Sequence, residues 1–404
     1  MPLSQPLHQQ IDRCVMCGIC SQHCPTYALS PNENESPRGR LALIAAVNQG
    51  QLNPDTLLFE HLDHCLGCRA CERACPSQVP FGEIMDQARD LLEPRHPGKQ
   101  HPGKRIGHAL LGHRRILRAA LTGLRWAQKA GLSKVAGVIP PIPAPPGWQT
   151  YYPPRNKTRG DVALFLGCIN ETLGQDELRA AIRLLNSAGY GVHVPPQQTC
   201  CGAMHRHNGD RRAATDLAKQ NLRAFAKLQT EAILHTASGC TAALQEYHKW
   251  VNSPPAQAGM AAEFSAKTQD ISHFLATVHW PEQVQFSPLP VRVAVHSPCS
   301  LKHVLQQTHA PLQLLANIPR IEWLELPDNG HCCGGAGSYM LTQPERAARL
   351  REDKLEALHR TQADILVTSN IGCALHLQAG LRERGREIEV LHPVTLLARQ
   401  LNTL

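Results

Sequence analysis

The chain has 404 residues, 42% hydrophobic and 18% charged, a composition that excludes a disordered or fibrous protein and allows two or three domains with their own cores. The net charge of +8 is concentrated in one place: Pro94 to Gly160 holds thirteen Lys and Arg and no Asp or Glu, which leaves 28 basic against 33 acidic residues elsewhere. Sixteen cysteines argue for metal or redox chemistry over disulfides, because MPLSQPLHQQ at the N-terminus lacks the basic and apolar regions of a secretory leader. With no run of about eighteen apolar residues, a cytoplasmic chain that does not span a membrane is expected.

Residues 1–93 carry eight of the cysteines in two copies of one pattern. Cys14, Cys17, Cys20 and Cys24 precede Pro25; Cys65, Cys68, Cys71 and Cys75 precede Pro76, each 51 residues after its mate. RLALIAAVNQG and DTLLFEHLDHC, between the two runs, have helical periodicity, so a helical ferredoxin domain is expected. Structural zinc usually takes its ligands as two separated pairs, unlike these runs. In two-cluster ferredoxins the Cys before Pro ligates the other cluster. The spacing therefore assigns one [4Fe-4S] cluster to Cys14, Cys17, Cys20 and Cys75, and a second to Cys65, Cys68, Cys71 and Cys24.

Residues 94–160 form a basic connector. Arg105 to Val138 alternates apolar and cationic residues at helical spacing, and PPIPAPPGWQTYYPP, from Pro140 to Pro154, reads as a semi-rigid linker. The basic helix suits an anionic lipid surface or an acidic partner. Nucleic acid is not expected, since aromatic interleaving is limited to Trp126 and no nucleic-acid-binding module is present.

From Asp161 onward, strands such as DVALFLGC, YGVHVP, AILHTASGC, VRVAVHSPC, IEWLELP, ADILVTSNIGC and IEVLHP alternate with helices, which predicts mostly parallel sheets covered on both faces. Cys168, Cys200, Cys201 and Cys240 recur as Cys299, Cys332, Cys333 and Cys373 at offsets of 131, 132, 132 and 133 residues. Two copies of one unit follow, at 161–285 and 286–404. The whole is an α+β multidomain chain: a helical ferredoxin domain, then an α/β region of two repeats. Strand carboxyl ends and helix N-termini favour binding sites and thiolates, so these eight cysteines are expected to form a third redox site near the meeting of the repeats. The GGAG at Gly334–Gly337 follows no strand and is not read as a dinucleotide loop; His205 and His303 are read as structural.

The two repeats resemble the cysteine-rich CCG domain of heterodisulfide reductase catalytic subunits, where five cysteines per repeat hold a non-cubane cluster. Here Ala237 and Asn370 stand where that family has its additional cysteine. A further iron-sulfur cluster, a thiol/disulfide pair and an unmetallated vestige all stay open.

The chain as a whole resembles the iron-sulfur subunit of bacterial glycolate oxidase, through RCVMCGICSQHCPTY, SPRGR, HLDHCLGCRACERACPS, FLGC, TCCGA, TASGC, CCGGAGSY and SNIGC. That resemblance implies an oxidoreductase subunit, inactive alone, that passes electrons from glycolate oxidation to glyoxylate toward a respiratory acceptor. It implies an FAD-containing dehydrogenase subunit, a second flavoprotein-like subunit, and quinone or a peripheral place on the inner membrane's cytoplasmic face. Iron-sulfur subunits of D-lactate or anaerobic glycerol-3-phosphate dehydrogenases, or a non-catalytic scaffold, are the alternatives.

Overall fold

A computed structural model of the chain describes residues 5–96, 114–130, 141–145, 147–327 and 329–402. In the N-terminal part, helices Gln5–Asp12, Pro37–Asn48, Thr56–Asp63 and Phe81–Leu92 bury Leu7, Ile44, Leu58, Leu62 and Ile84 in one small core. Their starts are written in the sequence. Ser36 Oγ accepts from the Gly39 amide at 2.9 Å with Pro37 in the first helical position, and Asp55 Oδ1 accepts from the Leu58 amide at 2.8 Å. Helices Ile19–Gln22 and Ala70–Arg73, one turn each, lie inside the two cysteine runs.

The remainder is built on two sheets. The first contains β1 (Tyr151–Tyr152), β2 (Gly160–Leu164), β3 (Tyr190–His193), β4 (Ile233–His235) and β5 (Thr268–Asp270), in the order β1-β3-β2-β4-β5. A small antiparallel pair joins β6 (Gln285–Phe286) to the C-terminal β11 (Leu401–Asn402). The second sheet contains β7 (Arg292–His296), β8 (Glu322–Glu325), β9 (Ile365–Thr368) and β10 (Glu389–Leu391), in the order β10-β9-β7-β8. Apart from β1 all pairings in the two sheets are parallel. Counted within each repeat, both sheets run 2-1-3-4. Their topological switch points therefore lie between β2 and β4 and between β7 and β9, where open α/β sheets place their sites.

The repeats are fused through a common core. Helices Gln175–Ser187 and His309–Leu315 meet Pro393–Arg399, burying Leu178, Leu184, Leu314, Leu315, Val394 and Leu397 together. Three features escape periodicity: the polar, three-residue β5; the β6–β11 pair; and β1, which lies in the proline-rich stretch and adds an antiparallel edge to β3. Of the basic stretch, Arg114–Lys129 is helical, its Arg118 pairs with Glu171, and Ile116 and Trp126 are exposed; residues 105–113 and 131–138 lie outside the described residues. No helix among the described residues is long and apolar enough to cross a membrane.

Two buried histidines set an acid limit. His392 caps helix Pro393–Arg399, its Nδ1 accepting from the Val394 amide at 3.1 Å, and burial pushes it down to about 3. His296, at the end of β7, is also pushed down to about 3, by burial and then by the nearby Lys354 charge. A depressed histidine contributes full stability above its unfolded value of about 6.5 and loses it as pH falls toward the folded one. Between pH 6.5 and 5 each is expected to cost about 2 kcal/mol. His392→Asn, which keeps a capping side chain, should lose distinctly less stability over that interval when urea midpoints are compared. Equal losses in both proteins would rule the explanation out.

Candidate functional site

Each cysteine run of the helical domain is a loop with two left-handed residues. Met16 (φ 57°) and Gly18 (φ 83°) turn the first run; Gly67 (φ 64°) and Arg69 (φ 59°), 51 residues on, turn the second. The same geometry is thus made with glycine at opposite positions in the two copies. Such turns direct successive amides inward, a concavity suited to an anion. Cys14, Cys17 and Cys20 line one pocket together with Cys75 from the other run. Cys65, Cys68 and Cys71 line a second pocket together with Cys24. All donors are thiols, and each pocket has a cation at its wall, so the residues present fit an anionic iron-sulfur cluster.

The cations come from SPRGR. Arg38 lines the first pocket, donating to the Met16 carbonyl at 2.9 Å and pairing with Glu33 at 2.7 Å. Arg40 lines the second and is 1% exposed; it donates to the His61 carbonyl at 2.8 Å and lies 3.9 Å from the Cys24 thiol. The glycine between them is required by crowding, since a Cβ on Gly39 would stand 1.8 Å from the Glu33 carbonyl oxygen. Behind Arg40 sits a buried carboxylate. One oxygen of Glu35 accepts from His61 Nδ1 and His64 Nδ1, both at 2.7 Å, and the other from Arg40 at 2.7 Å and Arg346 at 3.4 Å. Burial alone would raise Glu35, but the hydrogen bonds from His64 and His61 and the Arg40 charge hold it down to about 2. Glu35, His61 and His64 have the composition of a metal site, yet the two arginines make it a hydrogen-bonded ion pair instead. No spacing rule pointed to these three residues.

The other eight cysteines form two quartets, one at each switch point. In the first repeat the Cys168 thiol donates to Cys200 at 3.5 Å, Cys200 contacts Cys201, and Cys201 contacts Cys240. In the second repeat Cys299 donates to Cys332 at 3.9 Å, followed by Cys333 and Cys373 in the same order. The glycine of each CCG is left-handed, with φ 81° at Gly202 and 86° at Gly334. Its amide donates to the first thiol of the pair, at 3.5 and 3.4 Å. Helix packing also excludes a side chain there: a Cβ on Gly334 would be 2.6 Å from the Ala347 carbonyl oxygen. Cys240 and Cys373 stand in the first turns of helices Ser238–Gln245 and Ile371–Glu383. Asn370, where a fifth cysteine was absent, caps its helix by accepting from the Gly372 amide at 3.0 Å and contacts Ser238 of the other repeat at 3.4 Å.

The quartets differ electrostatically. Hydrogen bonds from Cys168 and Cys201 pull Cys200 well down, and Cys201 followed by His235 brings Cys240 to about 6. Cys299 is pushed up by its bond to Cys332 and by burial.

Both repeats grip the helical domain. Arg69 pairs with Glu246 at 2.7 Å, Asp86 with His207 at 3.0 Å, and Glu35 with Arg346. The result brings Cys68 near enough to Cys299 and Cys332 for a charge on one to act on the others. The second cysteine pocket thus faces the second repeat.

Two helical four-cysteine pockets docked on tandem cysteine-rich α/β repeats define a ferredoxin-like iron-sulfur protein with CCG domains. The family described as 4Fe-4S dicluster domain matches residues 10–79, and the cysteine-rich domain, CCG, matches 162–245 and 293–378. The chain is 33% identical to the probable glycolate oxidase iron-sulfur subunit of Bacillus subtilis, over 95% of this chain and 92% of the relative. It is likewise 33% identical to the glycolate oxidase iron-sulfur subunit of Escherichia coli, over 94% and 92%. The chain belongs to the family of glycolate oxidase iron-sulfur subunits. Lactate utilization protein A of Halalkalibacterium halodurans is 28% identical over 60% of this chain and 98% of its own. The fold recurs in a hypothetical protein from Helicobacter pylori, at a TM-score of 0.55 and 11% identity, over 98% of this chain and 72% of that one.

Proposed function

We propose that the chain is the electron-transfer subunit of a flavin-dependent glycolate dehydrogenase, with one [4Fe-4S] cluster on Cys14, Cys17, Cys20 and Cys75 and another on Cys24, Cys65, Cys68 and Cys71. Bound there, the clusters supply one-electron carriers. The observation that carries this reading is the packing of helix Ala70–Arg73, which holds Cys71 of the second pocket, against the turn Ser300–Leu305 that follows Cys299; it continues the row of thiol sites from the helical domain into the repeats. Oxidation of glycolate to glyoxylate releases two electrons and two protons; an FAD subunit, assisted by a second flavoprotein-like subunit, takes them from the substrate. This chain's share is to hold, insulate and orient the electron sites. Arg38 and Arg40 offset thiolate charge, and the ion pairs of Arg69, Asp86 and Glu35 fix the distance between the halves. Electrons leave toward a respiratory acceptor, quinone at the membrane. Helix Arg114–Lys129, cationic with Trp126 and Ile116 exposed, suits a peripheral seat on an anionic bilayer or an acidic subunit. The repeats' thiols, one quartet in each, serve as further redox sites.

A second reading replaces glycolate by lactate, as the similarity to lactate utilization proteins favours. Co-expression with flavoprotein neighbours, anaerobic purification and dye reduction with glycolate, D-lactate and glycerol 3-phosphate separate the donors. About eight irons per chain would correspond to the helical domain alone, and about twelve to a third cluster. With a dye that accepts only from this subunit, Cys14→Ser should abolish reduction; unchanged reduction would refute the wire.

A further inference from the structure

The two cysteine loops of the helical domain are copies in sequence spacing and opposites in exposure. In the second loop Leu66, Cys68 and Arg69 are partly buried, and Ala70 is 4% exposed. Protein covers it. Arg69 reaches Glu246 of the first repeat at 2.7 Å, and helix Ala70–Arg73 packs against the turn Ser300–Leu305 of the second. In the first loop, 51 residues earlier, Val15 is 70% exposed, Met16 50% and Ile19 43%, and the Cys17 thiol among them is exposed as well.

The side chains differ in the direction opposite to their exposure. Where the covered loop has Gly67 and Ala70, the open one has Met16 and Ile19. Met16 also stands in a left-handed conformation (φ 57°), which disfavours a side chain. Three large apolar groups gathered around an open thiol form a patch, and such patches mark interaction sites. The patch has a cationic edge: Arg13, exposed beside Cys14, has no carboxylate partner among the described residues. An apolar centre with a charged rim is the anatomy of a protein interface whose partner carries the opposite charge.

The other end of the row of thiol sites is turned elsewhere. The second loop faces the repeats, and the cationic helix Arg114–Lys129, suited to a membrane seat, is tied to the first repeat through Arg118 and Glu171. The pocket of Cys14, Cys17, Cys20 and Cys75 is thus the end left open to an electron donor.

We propose that the FAD-carrying subunit docks over the first cysteine loop, with Val15, Met16 and Ile19 at the centre of the contact and a carboxylate of the partner opposite Arg13. The covered second loop is the precedent within this same chain: there Arg69 meets a carboxylate and the short helix packs on protein. The inference rests on the reading of the chain as an electron-transfer subunit and names the face through which electrons enter. A two-electron-reduced flavin is oxidised there in two single-electron steps, the acceptor in the first pocket being reduced each time, and the flavin's two protons pass to solvent. No bond between the subunits forms or breaks.

The test compares hydrogen exchange of the full chain, loaded with iron and sulfide, with and without the separately purified FAD subunit. Amides of residues 13–23 are expected to slow on addition, while those of the matching stretch 64–74, already covered, keep their rates. Val15→Gln with Ile19→Gln should retain about eight irons, weaken binding about tenfold or more and slow reduction by the substrate-reduced FAD subunit, with reduction by dithionite unchanged. Leu341→Gln, which removes a side chain 81% exposed on the second repeat, should leave binding as it was. A complex that protects the repeats and not residues 13–23 overturns the docking face and leaves the wire intact. Protection of 13–23 by a second copy of the chain or by phospholipid vesicles, and not by the FAD subunit, overturns it too. No complex at all overturns the docking together with the reading it rests on. The exchange comparison needs no variant, so misfolding of the double variant leaves the test standing.

Discussion

Replacing Glu35 with Ala is expected to destabilise the helical domain by about 3–5 kcal/mol, the cost of leaving a buried charge without its partner. Arg40, 1% exposed, would keep its hydrogen bonds to the His61 and Glu35 carbonyls but lose its counter-ion. His61 and His64 would lose the acceptor of their Nδ1 hydrogens, and Arg346 its grip on the helical domain. The damage should therefore extend beyond one domain. Hydrogen exchange across residues 25–65 should accelerate, and so should exchange in helix Pro344–Thr361, which carries Arg346. The control is Glu33→Gln. Its pair with Arg38 is also 2.7 Å long, but Glu33 is half exposed, and such pairs contribute about 1 kcal/mol or less. Because the Glu35 carboxyl is held down to about 2, its contribution is complete above the ordinary carboxylate range and is lost as pH falls below about 4.5. A loss for Glu35→Ala no larger than that for Glu33→Gln would show that the ion pair does not organise the domain.

What the sequence disclosed and what it hid follow from how local each cause is. The cysteine runs were legible because a ligand loop is a local object, and its second copy repeated every spacing. The parallel strands were legible as apolar runs such as VALFL and VRVAV, buried on both faces. β5 escaped because Thr268, Gln269 and Asp270 have no apolar signature; parallel pairing with β4 alone makes them a strand. β1 escaped because a proline-rich context outweighed two tyrosines whose partners, His193 and Val192, lie some forty residues away. SPRGR was visible as a motif, but its division of labour, Arg38 to one pocket and Arg40 to the other, required the helix to be placed. Glu35 with Arg346 spans 311 residues and leaves no periodic trace. The eight later cysteines, expected as one site, stand as two quartets because each repeat closes its own switch point.

Changing Cys24 to Ser is expected to empty the pocket of the other cysteine run and spare the pocket of its own, and Cys75→Ser to do the reverse. Each single change should remove about four of about eight irons, so counting iron alone does not identify which pocket failed. Pairs do. Cys14→Ser with Cys75→Ser strikes one pocket twice and should leave about four irons, whereas Cys14→Ser with Cys24→Ser strikes both and should leave almost none. If each run held its own cluster, these two outcomes would be interchanged. The functional consequence separates the sites further. Cys24 shares its pocket with Cys68, the thiol that neighbours Cys299 and Cys332, whereas Cys75 belongs to the pocket lined by Cys14 and Cys17. Loss of the Cys24 pocket should therefore sever the second repeat from the helical domain while the Cys14 pocket still takes up electrons. Loss of the Cys75 pocket should leave the exchange between Cys68's site and the repeat intact. An order of loss opposite to this would place the contact between the halves at the first pocket, against the position of Cys68.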